Sequence, residues 1–262
     1  MAERELYPDG EQRRRIMDFI MAAGQTLLEN GAEVFRVEQT MEIMAASFHL
    51  REFHVYVLTN GIFASAGTAE MSEVRNVPTR TTHLGRVAAV NQLSRQIASG
   101  DVDTIDEAET RLAQARCIPF PKDWVQIAAG MGGAFCFALI FGCVLKAGLA
   151  AAAAGVAANA YLLFCGRHGV GGGFRTISTA ALITLCCILG CSLLGTEASH
   201  AIIGTLMILT PGIAFTMGIR DFVQGDYLSG TIRMIDALLI AASIAIGAGL
   251  VLSLYAFLKG VV

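Results

Sequence analysis

Apolar residues in the first third of the chain recur with a helical period, then with the period of a strand. Ile16, Phe19, Ile20, Ala23 and Leu27 fall on one face at 3.6-residue spacing. Asn30-Gly31 breaks that pattern, with Gly31 expected as a left-handed cap. A second stripe follows in Val34, Val37, Met41, Met44 and Phe48. The period then shortens to two, as Phe53, Val55 and Val57 alternate with His54, Tyr56 and Leu58. Asn60-Gly61 predicts a hairpin turn, Ile62–Ala66 the returning strand, and Met71–Val77 a third strand ending at Pro78. Two further helices are expected over His83–Ser99 and Thr104–Arg116. Gly100 would end the first, and Asp103 or Thr104 would cap the second, which has acids in its first turn. In CIPFPKDW two prolines resist helix. The pattern therefore predicts an α+β domain over residues 1–116 and a linker over 117–123.

From Trp124 onward the periodicity gives way to long apolar runs of the kind that cross a hydrocarbon core of about 30 Å. Polar interruptions divide residues 124–262 into five expected transmembrane helices: Trp124–Leu145, Leu149–Gly166, Thr176–Leu194, Ser199–Ile219 and Met234–Leu258. The breaks are Lys146-Ala147-Gly148, RHGVGGGFR, Gly195-Thr196-Glu197 and RDFVQGDYLSGTIR. The predicted fold class is thus an α+β cytoplasmic N-terminal domain followed by an all-α polytopic membrane domain of five transmembrane helices. Arg167, Arg175, Arg220 and Arg233 fall in the second and fourth loops, whereas the others hold only Lys146 and Glu197, with Lys259 at the C-terminal end. That bias predicts a cytoplasmic N-terminus and an outside C-terminus. An odd number of spans ending at Val262 suggests one unit of a paired assembly.

Composition sharpens this division. Hydrophobic residues make up 54% of the 262 and charged residues 16%, with a mean hydropathy of +0.57. Charge is concentrated before Lys122, so the halves suit different solvents. A net charge of -3 without a basic stripe argues against a nucleic-acid partner. MAERELYPDGEQRRR has no apolar core and is not expected to be a signal peptide. Six of the seven cysteines lie in apolar runs, without a CxxC pair or a histidine at zinc-ligand spacing, and read as packing residues. No metal or cofactor is expected. RHGVGGGFR lacks the Lys-Ser/Thr of a phosphate loop and reads as a flexible basic loop. His49, His54, His83, His168 and His200 are scattered, and no catalytic constellation is visible. Gly130, Gly132, Gly133, Ala150–Ala154, Gly247 and Gly249 are expected at close helix contacts.

The fourth span and the loop after it hold the candidate chemistry. Pro211 lacks an amide hydrogen and clashes with the carbonyl one turn earlier, at Met207. Freed backbone groups in lipid must find partners within the protein or in a wet cavity. Thr210, Pro211 and Gly212 are therefore candidates for a discontinuous, substrate-binding helix, with a simple kink as the alternative. Arg220 could hold a substrate carboxylate. Asp221, Asp226 and Asp236 could take up a proton or bind an ammonium group, and Arg233 and Asp236 share a helical face three residues apart. The alternative is that these charges anchor topology and staple two helices. Glu33, Arg36 and Glu38 cluster on the second helix, where Glu33 and Arg36 could form a surface pair or line a cleft.

ENGAEVFRVEQTM, HVYVLTNGIFAS and LTPGIAFTMGIRDFVQGDYLSGTIR, in that order, resemble the threonine/serine exporter family over nearly the whole chain. The resemblance is to the split type, in which a small companion membrane subunit supplies the remaining spans. It implies proton-driven efflux, across a bacterial cytoplasmic membrane, of threonine and serine or of dicarboxylates such as succinate. The expected partners are that companion subunit, the lipid bilayer, a small carboxylate-bearing solute and a second copy of the chain. Rival readings are a membrane-anchored hydrolase, a scaffold whose soluble domain carries the activity, and a passive channel.

Overall fold

The computed structural model describes residues 10–67, 71–77 and 81–259. Pro78, the expected end of the third strand, lies outside the described residues. Among those described there are ten helices and three strands, which overturns the expected fold class. The chain is predominantly helical with one small sheet, and among the described residues four helices, not five, are long and apolar enough to cross a membrane. By contacts it forms two compact units, one of Met1–Phe120 with Met217–Arg233, the other of Pro121–Thr216 with Met234–Val262. An α+β segment followed by a five-span segment is therefore not the architecture.

In the first unit, α1 (Gly10–Glu29) and α2 (Val34–Ser47) bury the stripes read from the sequence: Ile16, Phe19, Ile20, Ala23 and Leu27 against Val34, Val37, Met41 and Met44. The two helices meet at Gly24, where an added Cβ would lie 2.3 Å from Met41 Sδ. Between them Gly31 turns the chain at φ +87°, in the left-handed region that favours glycine. The strands β1 (His54–Leu58), β2 (Gly61–Ala66) and β3 (Met71–Asn76) form an antiparallel sheet in that order. Leu58 already faces Gly61, so the turn is Thr59-Asn60, one residue earlier than Asn60-Gly61 predicts. Val57, Ile62 and Ala64 face the core, whereas Tyr56, Phe63 and Val74 stand opposite one another on the exposed face.

Helices α3 (Leu84–Ser99) and α4 (Ile105–Arg116) complete the core. His83 caps α3, its Nδ1 accepting from the Arg86 N–H at 3.2 Å, and its Nε2 lies 3.1 Å from the Pro119 carbonyl. Arg86 Nε donates to the Ile118 carbonyl at 2.9 Å and its guanidinium lies over Phe120. His83 thus has a structural role. Thr104 occupies the cap position of α4, without a side-chain bond to the helix.

The second unit contains α5 (Asp123–Ile140), α6 (Leu145–Arg167), α7 (Gly172–Leu194) and α8 (Ser199–Leu206), packed through small residues. An added Cβ at Gly204 would stand 2.4 Å from Ala138 Cα, and one at Gly130 would overlap the Asn159 amide. Such seams suit helices that gain little from hydrophobic burial in lipid. Polarity misled the expected breaks. Lys146 lies inside the first turn of α6, because Gly142, at φ +88°, ends α5 instead. The glycine-rich segment contracts to 168–171, and Arg175 is already helical. All seven cysteines are free thiols.

Candidate functional site

The expected fourth span is interrupted. Helix α8 stops at Leu206, and α9 (Gly212–Val223) starts again after Pro211. Short turns satisfy part of the intervening backbone: the Leu209 N–H donates to Leu206 at 2.9 Å, Thr210 N–H to Met207 at 3.2 Å and Gly212 N–H to Thr210 at 2.8 Å. Thr210 and Gly212 are exposed and Pro211 is partly so. The missing Pro211 amide hydrogen and its ring account for the break.

The segment expected as a loop is mostly helical, since α9 runs to Val223 and α10 covers Tyr227–Leu258. The turn between them follows from Gly225-Asp226. Gly225 adopts φ +87°, and the Asp226 N–H returns to the Asp221 carbonyl at 2.9 Å, closing α9 in the manner of a Schellman cap. Asp226 then opens α10, its Oδ1 accepting from the Ser229 N–H at 3.3 Å. At Gly230 the helices touch, and a Cβ there would meet Phe222 at 2.8 Å.

This hairpin carries two ion pairs. Asp221 Oδ2 lies 3.0 Å from Arg233 Nε, with side-chain exposures of only 4% and 10%. Arg220 Nη1 donates to Glu33 Oε1 at 2.6 Å, joining α9 to the residue that precedes α2. The Arg220 side chain is 42% exposed, and this one nitrogen makes its hydrogen bond. Glu33 Oε2, by contrast, is buried without a hydrogen-bond partner. A few residues along α2, Glu38 Oε1 accepts from the Val57 N–H at 2.8 Å. Burial pushes the Glu38 carboxyl up from its ordinary value and the nearby Asp226 charge adds to this, while the Val57 bond opposes both.

Arg220, Asp221, Asp226 and Arg233 therefore fall in one compact unit together with Glu33 and Glu38. Thr210, Pro211, Gly212 and Asp236 belong to the other unit, Asp236 being half-buried one turn beyond Arg233 on α10. Glu33 pairs with Arg220 and not with Arg36, which is exposed. A partner 187 residues away leaves no local trace in the chain. Glu38 was legible only as one acid in a cluster.

Long apolar helices, a proline-broken helix and a buried charge pair define an integral membrane protein of the transporter class. A family profile described as "Putative threonine/serine exporter" matches residues 18–255, and the chain belongs to that family. It is 27% identical over 246 residues to a protein of Mycobacterium tuberculosis named "Probable threonine/serine exporter". The match covers 91% of this chain and 46% of the relative, so the chain spans about half that protein's length. No solved structure matches.

Proposed function

We propose that this chain is a subunit of a secondary-active exporter of small carboxylate-bearing solutes, either threonine and serine or a dicarboxylate such as succinate. The observation that carries the reading is Arg220, a guanidinium with five donors held through one nitrogen by Glu33. Its remaining donors suit a second carboxylate, and a solute carboxylate would compete with Glu33 for the same cation. Exposed polar backbone at Thr210–Gly212, where α9 begins, supports a role for the break in the solute path. Asp221 or Asp236 takes up the coupling proton. Residues 1–116 lie in the cytoplasm of a bacterial cell and gate the inner mouth, and a companion membrane subunit or a second copy completes the pathway. The placement of Arg167, Arg175, Arg220 and Arg233 beside the ends of the apolar runs supports this orientation.

The test is counterflow in proteoliposomes with and without the companion subunit, across a panel of amino acids and dicarboxylates and under an imposed proton gradient. Gradient-driven accumulation of at least one panel member is expected. Absence of flux for every solute, with the companion present, would overturn the reading.

A further inference from the structure

The turn between α6 and α7 gathers positive charge that the chain itself leaves largely unmatched. Tyr161 Oη donates to Ser178 Oγ at 3.1 Å, so Phe164 and Arg175, each three residues nearer the turn, stand at one level of this helix pair. Arg175 is half-buried in the first turn of α7. Among the described residues no ion pair or side-chain hydrogen bond holds its guanidinium, which carries five N–H donors. No acid stands in that turn. A helix N-terminus is itself electropositive, so an arginine there is unfavourable unless an anion joins it. The first N–H groups of a helix have no partner within it, and the space around Gly171, Gly172 and Gly173 is open.

The end of α6 adds to this field. Arg167 bonds Asp123, and His168 Nδ1 donates to the Phe164 carbonyl at 2.8 Å, which leaves Nε2 for another partner. At this end of α5, α6 and α7, Lys122, Arg167 and Arg175 stand against one carboxylate, Asp123. Trp124, Phe164 and Phe174 are exposed beside them, as aromatic side chains are at headgroup depth. Cations alone would suit any soluble anion. Cations ringed by exposed aromatics at the ends of apolar spans suit an anion that carries acyl chains.

We infer that this turn binds an anionic phospholipid. Arg175 and the first N–H groups of α7 hold the phosphate, Arg167 and His168 flank it, and the acyl chains lie along Phe164 and Phe174. A zwitterionic lipid fits less well, because it brings its own cation to a surface that is already positive. The inference needs a chain that spans a bilayer and no particular transported solute.

Trp124 is the one tryptophan of the chain and adjoins Asp123, the partner of Arg167, so its fluorescence reports lipid beside the turn. The full chain is reconstituted in phosphatidylcholine vesicles that contain an equal fraction of either brominated phosphatidylglycerol or brominated phosphatidylcholine, and quenching gives the relative affinity. Phosphatidylglycerol should be favoured roughly fivefold or more. Arg167→Gln combined with Arg175→Gln should bring the ratio close to one. Lys146→Gln, at the opposite end of α6, should leave it unchanged. Raising salt to about 1 M, where screening acts within about 3 Å, should also bring the wild-type ratio close to one, without relying on any variant to fold. Inorganic phosphate at constant ionic strength should not displace the lipid. A wild-type ratio near one, a ratio that survives the double substitution or high salt, an equal loss in Lys146→Gln, or displacement by phosphate would overturn the inference.

Discussion

Glu38 is held where ionisation is costly, and the sign of that cost is testable. Its carboxyl is pushed up by burial, so between the unfolded and folded values the native state holds more protons than the unfolded chain. Its contribution to stability therefore falls as pH rises from the unfolded value through the folded one. Glu38→Gln keeps an acceptor for the Val57 N–H and removes the charge. The melting temperature of the variant minus that of the wild type should grow from pH 4 to pH 7. A difference that shrinks with rising pH would contradict this account. At Asp221 the expectation is different. Removing one partner of a buried ion pair typically costs about 3–5 kcal/mol, so Asp221→Ala should unfold more easily than Asp221→Asn. Asp221→Asn and Asp236→Asn should each assemble in the membrane yet lose gradient-driven efflux, measured in proteoliposomes. Unchanged transport in both would remove the aspartates from the coupling step. Pattern in the sequence marked Asp221 and Arg233 as candidates, but pairing across a turn could not be read from spacing alone.

At the scale of elements, the Arg220–Glu33 bond ties α9 to the start of α2. Glu33→Arg and Arg220→Glu should each impair flux, and the double exchange should restore part of it if the attraction itself matters. No recovery in the double variant would argue for another role of the pair. The α5–α8 seam makes a separate prediction. A methyl at Gly204 would stand 2.4 Å from the Ala138 backbone, so Gly204→Val should lower the melting temperature in detergent, with overpacking costing about 1–3 kcal/mol. Helix faces in the first unit were legible, because each stripe must bury itself: every stripe residue but Phe48 is buried, although the buried faces are wider and also take in Met17, Met21, Leu28 and Ala45. Helix ends were less so. Lys146 looked like a loop residue, yet Gly142 sets the boundary through its backbone, and a lysine near a helix end can reach polar surroundings along its stem. RDFVQGDYLSGTIR read as a connection because of its charges, two of which, Asp221 and Arg233, the hairpin instead turns inward and pairs.

For the whole molecule, four of the expected spans survive as long helices, and the fourth is divided by the proline that first drew attention to it. Apolar length is visible in a sequence because lipid demands it everywhere along a span. The grouping of Met217–Arg233 with the N-terminal residues was not visible, since it depends on contacts between distant segments. Deleting residues 1–115 should abolish flux and leave Arg220 without its Glu33 partner. Retention of wild-type counterflow would dismiss a gating role. The α10 helix, at 32 residues, extends about 48 Å, well beyond a hydrocarbon core of about 30 Å, so its first turns are free to serve the charged hairpin.

The Asp221–Arg233 pair also sets an order of events during synthesis. A ribosome adding roughly 5–20 residues per second delivers the aspartate before its arginine, so for about a second the carboxylate has no such counter-ion. The hairpin must therefore settle as a unit, and a chain halted at Asp226 should be cleared by quality-control proteases much faster than one halted after Asp236.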